Sequence, residues 1–271
     1  MTRIALLQAT TGIDPQANAS DLTNAIERAA GEGAAMLFTP EMSGLLDRDR
    51  KRAAASIRKE DEDPTLTAVR DAAASQGIWV CLGSLAVDVG DGRWANRSFV
   101  IDPQGEIASR YDKIHMFDVD LASGESWRES NAYRAGEKVV TAQTPLGRLG
   151  LSICYDLRFP GLFEALGQAQ CDIISIPAAF TVPTGTAHWH VLQRARAIEA
   201  SAFVIAAAQV GRHEDGRTTF GHSLVVDPWG EVLLDMGSDQ AGLGFADIDL
   251  SRIKEVRDQV PSLANRRKIV I

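Results

Sequence analysis

Three residues far apart in the chain could do chemistry together: a thiol at Cys154, an acid at Glu41 and an amine at Lys113. Cys154 lies in Gly150-Leu-Ser-Ile-Cys154-Tyr-Asp-Leu-Arg158-Phe-Pro160, an apolar strand that runs into a turn. A nucleophile is often displayed at such a strand-to-turn junction in α/β enzymes. Glu41 follows the apolar Phe38-Thr-Pro40, and Lys113 follows Arg110-Tyr-Asp. A thiol is mostly protonated at neutral pH and needs activation. No histidine adjoins Cys154, so Glu41 is the candidate base. Buried beside few donors, its pKa would rise toward neutrality and it would shuttle protons. Lys113 would supply fixed positive charge to a thiolate and to an oxyanion, with the backbone N–H of Tyr155 as second donor. This set suits acyl transfer from carbon–nitrogen bonds. Cys154 attacks an amide carbonyl, protonated Glu41 gives its proton to the departing amine, and water deprotonated by Glu41 hydrolyses the thioester. By itself the triple is a weak signal, because most proteins of this size contain a scattered glutamate, lysine and cysteine.

The elements that must position these groups alternate between strands and helices. Strands are expected at Arg3–Gln8, Met36–Thr39, Ile78–Leu82, Leu149–Cys154, Ile173–Ile176, Ala202–Gln209 and Gly244–Asp249, with a shorter one at Val139–Thr141. Helices are expected at 16–30, from Pro64 to about Ser75 before Gly77, after Pro160, and at His188–Ala200. Two hairpins, Ser98–Asp102 with Glu106–Tyr111 and Ser223–Asp227 with Glu231–Asp235, turn at Pro103-Gln-Gly105 and Pro228-Trp-Gly230. Their likeness is a weak two-fold echo, and the order suggests two sheets covered by helices.

Composition narrows the function classes. The chain has 271 residues, 45% hydrophobic and 24% charged, with a net charge of −8. One domain spanning 1–271 fits a layered α/β fold. No basic cluster is dense enough to follow phosphates, so nucleic acid is not an expected partner. Arg266-Arg267-Lys268 reads as a solvated end or a subunit contact. No signal peptide is expected, and no apolar run nears the roughly 20 residues of a membrane span. Cys81, Cys154 and Cys171 are odd in number and widely spaced. They point to no disulfide framework and to a cytoplasmic setting, with Cys81 and Cys171 in the core.

Three windows resemble signatures of the nitrilase superfamily of carbon–nitrogen hydrolases, in the family's order: Thr39-Pro40-Glu41, Tyr111-Asp-Lys113-Ile-His115-Met-Phe-Asp-Val-Asp120, and Ile153-Cys154-Tyr155-Asp156-Leu-Arg158-Phe-Pro160. The resemblance continues through Pro177-Ala-Ala-Phe180, Thr184-Gly185, Ala187-His188-Trp189, Arg194-Ala-Arg196-Ala-Ile-Glu199 and Gly221-His-Ser-Leu-Val-Val-Asp227-Pro-Trp-Gly230. It covers nearly the whole chain and is similar to the Nit branch. It implies a four-layer α-β-β-α sandwich of two mixed sheets, a homodimer or higher homo-oligomer formed through helices, and a cofactor-independent hydrolase of a small carboxylate-bearing amide. Deaminated glutathione is the first expected substrate and α-ketoglutaramate the second; N-carbamoyl or nitrile hydrolysis is a further alternative. The resemblance places Glu41, Lys113 and Cys154 as catalytic residues and Glu129 as a second glutamate that braces the lysine and substrate. Tyr155, Arg158, Phe180 and Thr184 fall at substrate-binding positions. One departure is Gly161, where the family usually has glutamate after Arg-Phe-Pro.

Each assignment has a plainer rival. Arg158 could instead pair with Asp156 or Glu199, Thr184 could be a loop residue, and Glu129 a solvated one. Side chains at His188 and His190 would diverge, so no metal site is expected, and no nucleotide motif is present. A chain that kept this fold only for assembly would usually have lost one of Glu41, Lys113 or Cys154.

Overall fold

The computed structural model describes residues 1–267 apart from 121, 123 and 125; Lys268 of the C-terminal basic run lies outside them. The first half of the chain forms β1 (Thr2–Gln8), α1 (Pro15–Gly31), β2 (Met36–Phe38), the short α2 (Arg50–Ala54), α3 (Pro64–Gln76), β3 (Trp79–Asp88), β4 (Trp94–Ile101) and β5 (Ile107–Asp112). A small ribbon of β6 (Asp118–Asp120) and β7 (Ser126–Arg128) follows. The second half forms β8 (Thr141–Thr144), β9 (Gly147–Leu151), α4 (Pro160–Gln168), β10 (Ile173–Ser175), α5 (Val182–Ala200) and β11 (Phe203–Ala206). A second ribbon, β12 (Val210–Arg212) and β13 (Thr218–Phe220), precedes β14 (Leu224–Val226), β15 (Val232–Asp235), β16 (Gly242–Ile248) and α6 (Ser251–Gln259).

These strands make two six-stranded mixed sheets with one plan. The orders are β16-β1-β2-β3-β4-β5 and, read from its other edge, β8-β9-β10-β11-β14-β15. In each, three central parallel strands are flanked by one antiparallel strand on one side and two on the other. The hairpin echo in the sequence is the visible part of this two-fold likeness. Parallel strands are covered on both faces, so they read as unbroken apolar runs. In β1, Ile4 and Leu6 face the other sheet while Ala5 packs under helices. Cys81 of β3 meets Ser175 of β10 across the interface, Sγ to Oγ at 3.5 Å.

Helices close the outer faces. Asp14 caps α1 by accepting from Gln16 N–H at 2.9 Å, with Pro15 in the first turn. Leu22, Ala25, Ile26 and Ala29 then form one buried stripe. Asp63 and Pro64 start α3 in the same way, and Gly77, at φ +64°, ends it in the left-handed conformation that glycine adopts without cost. α1 packs with α3 over the first sheet, and α4 with α5 over the second. The architecture is the expected four-layer α-β-β-α sandwich.

Several boundaries differ from the sequence reading, for identifiable reasons. β3 does not stop at Leu82 but passes through a bulge at Gly83-Ser84 and continues to Asp88. β9 ends at Leu151, so Cys154 sits in a 3₁₀ turn, Cys154–Arg158, three residues past the strand. α5 begins at Val182 and not at His188, because Pro183 occupies its first turn; Thr184 is therefore helical. The ribbons, α2 and α6 were not anticipated.

Candidate active site

Glu41, Lys113 and Cys154 each follow the C-terminal end of a strand, β2, β5 and β9 respectively. Their loops are pinned by backbone geometry. A Cβ on Gly83 would lie 2.0 Å from Thr39 O and 2.5 Å from Pro40 O, so only glycine lets the β3 bulge pass beneath the Glu41 loop. Ser84 Oγ accepts from Met42 N–H (2.9 Å), and Gln209 Nε2 donates to Glu41 O (2.9 Å). Met42 and Cys154 both adopt left-handed φ, +56° and +48°. Such strain persists where surrounding contacts over-determine it. At Cys154 those contacts are its own N–H to Pro177 O (2.8 Å) and four bonds to Asp156 just beyond it. Asp156 accepts from Ile153 N–H (2.9 Å), Tyr111 Oη–H (2.6 Å) and His115 N–H (3.0 Å), and its Oδ1 lies 2.7 Å from His115 Nδ1. The turn that carries the thiol is thereby bolted to the end of β5.

The three groups meet in one buried cluster. Lys113 Nζ donates to Glu41 Oε1 at 2.9 Å and to both oxygens of Glu129 at 3.1 and 2.9 Å. Glu41 also accepts from Asn96 Nδ2 and from Ala179 N–H, each at 2.9 Å, and from the Cys154 thiol. Glu129 accepts in addition from Phe117 N–H (2.7 Å) and Asn96 Nδ2 (3.2 Å). Glu129 is therefore a partner of Lys113 and not a solvated loop residue.

This geometry corrects the expected pKa of Glu41. Burial opposes its charge, yet the Lys113 ammonium and hydrogen bonds from Cys154, Lys113 and Asn96 outweigh it and hold the carboxyl below its usual range. The expected rise required few donors, and the site supplies four. Burial also pushes Lys113 down, but the Glu129 and Glu41 carboxylates hold it protonated, well above an ordinary lysine. For Cys154, burial and then the Glu41 carboxylate push the thiol well up, against the pull of Lys113. Two carboxylates against one ammonium leave the cluster negative, so Cys154 stands as a thiol beside an ionised Glu41.

All eight expected site residues, Glu41, Lys113, Glu129, Cys154, Tyr155, Arg158, Phe180 and Thr184, line one cavity of about 1130 Å³ including its open mouth. Cys154 N–H and Asp156 N–H bond within the fold, the latter to Ile153 O at 3.0 Å. Tyr155 N–H between them makes no such bond among the described residues. Arg158 pairs with neither rival acid: Asp156 is taken by Tyr111 and His115, and Glu199 by Arg196. Its guanidinium stacks 5.6 Å from the Phe180 ring centroid and lies 3.3 Å from His188 Nδ1. Thr184 Oγ1 bonds Thr181 Oγ1 at 2.8 Å in the first turn of α5. Gly161, the departure from the family pattern, is exposed, and a Cβ there would meet nothing within 4 Å. His188 and His190 diverge as expected. His190, however, joins His222 and Asp235, with ligand atoms within 4.8 Å of one another, a grouping that the sequence reading missed. Asn96, Asp156 and Gln209 were also missed as supports.

Two stacked mixed sheets with a thiol, a lysine and a glutamate at their strand ends define a carbon–nitrogen hydrolase, and the family model of that description, Carbon-nitrogen hydrolase, matches residues 3–258. The chain belongs to this family and is a hydrolase acting on amides. It is 40% identical over 267 residues to a deaminated glutathione amidase of Yersinia enterocolitica, covering 97% of this chain and 92% of that one. Among solved structures it resembles the Caenorhabditis elegans NitFhit protein, with TM-score 0.90 and 37% identity over 98% of this chain; the match spans 65% of that longer protein. It also resembles a glutamate-to-glutamine mutant of the Nesterenkonia sp. AN1 amidase, at TM-score 0.80 and 26% identity, covering 96% of this chain and 98% of that one. In that structure acrylamide has added to the active-site cysteine. No helix among the described residues is long and apolar enough to cross a membrane.

Proposed function

We propose that the chain cleaves a small, linear, carboxylate-bearing amide through a Cys154 thioester, with deaminated glutathione as first substrate and α-ketoglutaramate as second. The observation that carries this reading is the buried Glu41–Lys113–Cys154 cluster opening into the cavity that Arg158 lines. Ionised Glu41 takes the thiol proton as Cys154 Sγ attacks the carbonyl, and the oxyanion settles against Lys113 Nζ and Tyr155 N–H. Protonated Glu41 then passes that proton to the departing nitrogen as the C–N bond breaks. Glu41 next deprotonates a water that hydrolyses the thioester and returns the proton to sulfur. Glu129 holds the lysine in place. The Arg158 fork receives the substrate carboxylate, with Phe180 and Thr184 beside it. The carboxylate end and the scissile carbonyl are thereby fixed together.

The test is a panel of deaminated glutathione, α-ketoglutaramate, an N-carbamoyl acid and a nitrile, scored for released amine or ammonia, with intact-mass detection of the acyl-enzyme. Turnover of the first two with an acyl adduct on the Cys154 peptide supports the reading. Preference for the nitrile or the carbamoyl acid overturns it. The cluster draws on both sheets, which favours one functional unit over 1–271. Exposed Val191 and Ile198 on α5, 62% and 50% accessible, favour a homodimer through this helix, to be checked by analytical ultracentrifugation. Three unpaired, buried cysteines favour a reducing cytoplasm, which cell fractionation tests.

A further inference from the structure

Outside the substrate cavity, two imidazoles converge on one carboxylate. His190 comes from α5, His222 from the turn between β13 and β14, and Asp235 from the end of β15. None of the three lines the cavity. His190 Nε2 lies 2.9 Å from Asp235 Oδ2, and His222 Nδ1 lies 2.9 and 3.1 Å from Asp235 Oδ1 and Oδ2. Gly237 N–H donates to Oδ1 at 2.9 Å, which leaves Oδ2 shared between the two rings. The two nitrogens and the carboxylate all lie within 4.8 Å of one another.

One imidazole would satisfy the carboxylate, so the arrival of a second, from another segment, needs a reason. Both rings are held in place. His222 stacks on Phe220 at 4.4 Å and 27°, and His190 meets the same ring edge-on at 6.2 Å and 89°. Phe220 is itself locked against α5, because a Cβ on Gly185 would lie 2.2 Å from its ring. His222 adopts a left-handed φ of +54°. That conformation is fixed by its own N–H to Gly237 O (2.8 Å) and by Trp189 Nε1–H to its carbonyl (2.8 Å). Strain of this kind persists where contacts over-determine it, and it gathers at ligand clamps. Burial opposes the Asp235 charge, but hydrogen bonds from His190, Gly237 N–H and His222 hold its carboxyl below the usual range, ionised as a metal ligand must be.

We propose that His190 Nε2, His222 Nδ1 and Asp235 Oδ2 bind one divalent transition-metal ion of the zinc class. Two imidazoles and a carboxylate suit zinc and its neighbours, whereas magnesium and calcium take oxygen ligands. Metal–ligand bonds of about 2.0–2.2 Å in a tetrahedral array put the ligand atoms about 3.3 Å apart. The hydrogen-bonded spacings of 2.9 and 3.1 Å widen slightly, and the two rings draw in from within 4.8 Å. Each ligating nitrogen then presents its lone pair, and any proton it carried moves to the far ring nitrogen or to solvent. Neither far nitrogen, His190 Nδ1 or His222 Nε2, is bonded to protein among the described residues. The three side chains are 39%, 22% and 33% exposed, so water reaches the fourth position. The ion clamps α5 to β15 and to the turn before β14. This is a structural role separate from hydrolysis, and it stands or falls apart from the amidase reading.

The test uses the untagged full chain carrying Cys154→Ala, which removes the pocket thiol as a competing zinc ligand. Equilibrium dialysis against zinc should load one ion per chain. Adding His190→Ala or Asp235→Asn should weaken binding by at least the ~100-fold that loss of an outer-shell partner can cost. Asp235→Asn keeps the side-chain shape and the bond from Gly237 N–H, and His190→Ala serves as the second variant if it fails to fold. Zinc at about 100 times Kd should raise the parent's Tm by roughly 5–10 °C and leave both variants unmoved. Bound cobalt should show the strong visible bands of a four-coordinate ion. Absence of bound zinc, zinc retained after His190→Ala, or the pale spectrum of six-coordinate cobalt overturns the site.

Discussion

At the floor of the pocket, Glu41, Lys113 and Cys154 are 5%, 2% and 7% exposed, and the two ionised groups are each held by several partners. At its rim, Arg48, Arg50 and Arg128 are exposed, and they sit on a loop, at the start of the short α2 and on the small β6–β7 ribbon. The floor is carried by the ends of strands in two packed sheets, the rim by connections that those sheets do not constrain. Preorganised charge is worth most where water is excluded and nothing has to reorient during reaction. Contacts that only choose a substrate tolerate looser support. The difference implies that floor substitutions should damage every substrate alike and rim substitutions should damage substrates selectively.

The largest expected effects test the floor. Cys154→Ala should fold and lose nearly all hydrolysis, because no other group forms the thioester. Glu41→Gln should cost about 10²–10⁴-fold or more, since both half-reactions need its proton transfer. Near-normal turnover by Glu41→Gln would end the assignment of the base. The pH profile sharpens the same point. Glu41 is held below its usual range by Lys113 and its hydrogen-bond donors, so the acid limb of kcat/KM should lie on the acid side of an ordinary carboxylate. Its depressed pKa also stabilises the fold above the unfolded value, and that stability is lost as pH falls through the folded value. Lys113 acts with the opposite sign. Its raised pKa contributes stability below about 10.4 that is lost as pH rises through the folded value. An acid limb near neutrality would restore the raised Glu41 expected from sequence.

Glu129→Gln should fall between floor and rim. It keeps the nucleophile and base but loosens Lys113, and misplacing a catalytic group by ~1 Å costs about 10²-fold. The loss should be the same for charged and neutral amides. A loss confined to acids would move Glu129 from the lysine to the substrate.

The same division explains what could be read in the sequence. The central parallel strands are apolar runs because both faces are covered, so β1, β2, β9 and β10 were legible, and the three floor residues follow three strands. Asn96 was not. In Trp94-Ala-Asn96-Arg it reads as an ordinary polar strand position, and only the pairing of β4 brings its Nδ2 between Glu41 and Glu129. The raised Glu41 pKa failed for the same reason, because its donors come from β4, from Lys113 after β5 and from the loop after β10. The rim ribbons are three residues per strand, too short for an alternation to register. α6 buries only Ile253 and Val256, leaving little periodic signal.

Arg158→Lys probes a substrate contact that starts from the floor's own turn, Cys154–Arg158. It keeps the charge but loses the fork, and should cost about 1.5–3 kcal/mol on acid substrates, or roughly 10- to 150-fold in kcat/KM. A neutral amide of similar length should lose much less. Equal losses on both would show that Arg158, through Phe180 and His188, holds the pocket wall and not a carboxylate.

The smallest effect on rate should come from Tyr111→Phe, which touches the floor's support and not the floor. Tyr111 is 1% exposed, and its hydroxyl donates to Asp156 Oδ2 at 2.6 Å. Removing it leaves Asp156 with bonds from Ile153 N–H and from His115, enough to keep the Cys154 turn in its strained conformation. The lost charged hydrogen bond should cost about 1.5–3 kcal/mol of stability. At roughly 2–4 °C per kcal/mol, that appears as a Tm lower by about 3–12 °C. Turnover should drop less than tenfold below the transition, because the reacting groups do not move. If calorimetry instead finds an unchanged Tm with a large loss of kcat, Asp156 holds the nucleophile chiefly through Tyr111, and the support of the floor is narrower than its four contacts imply.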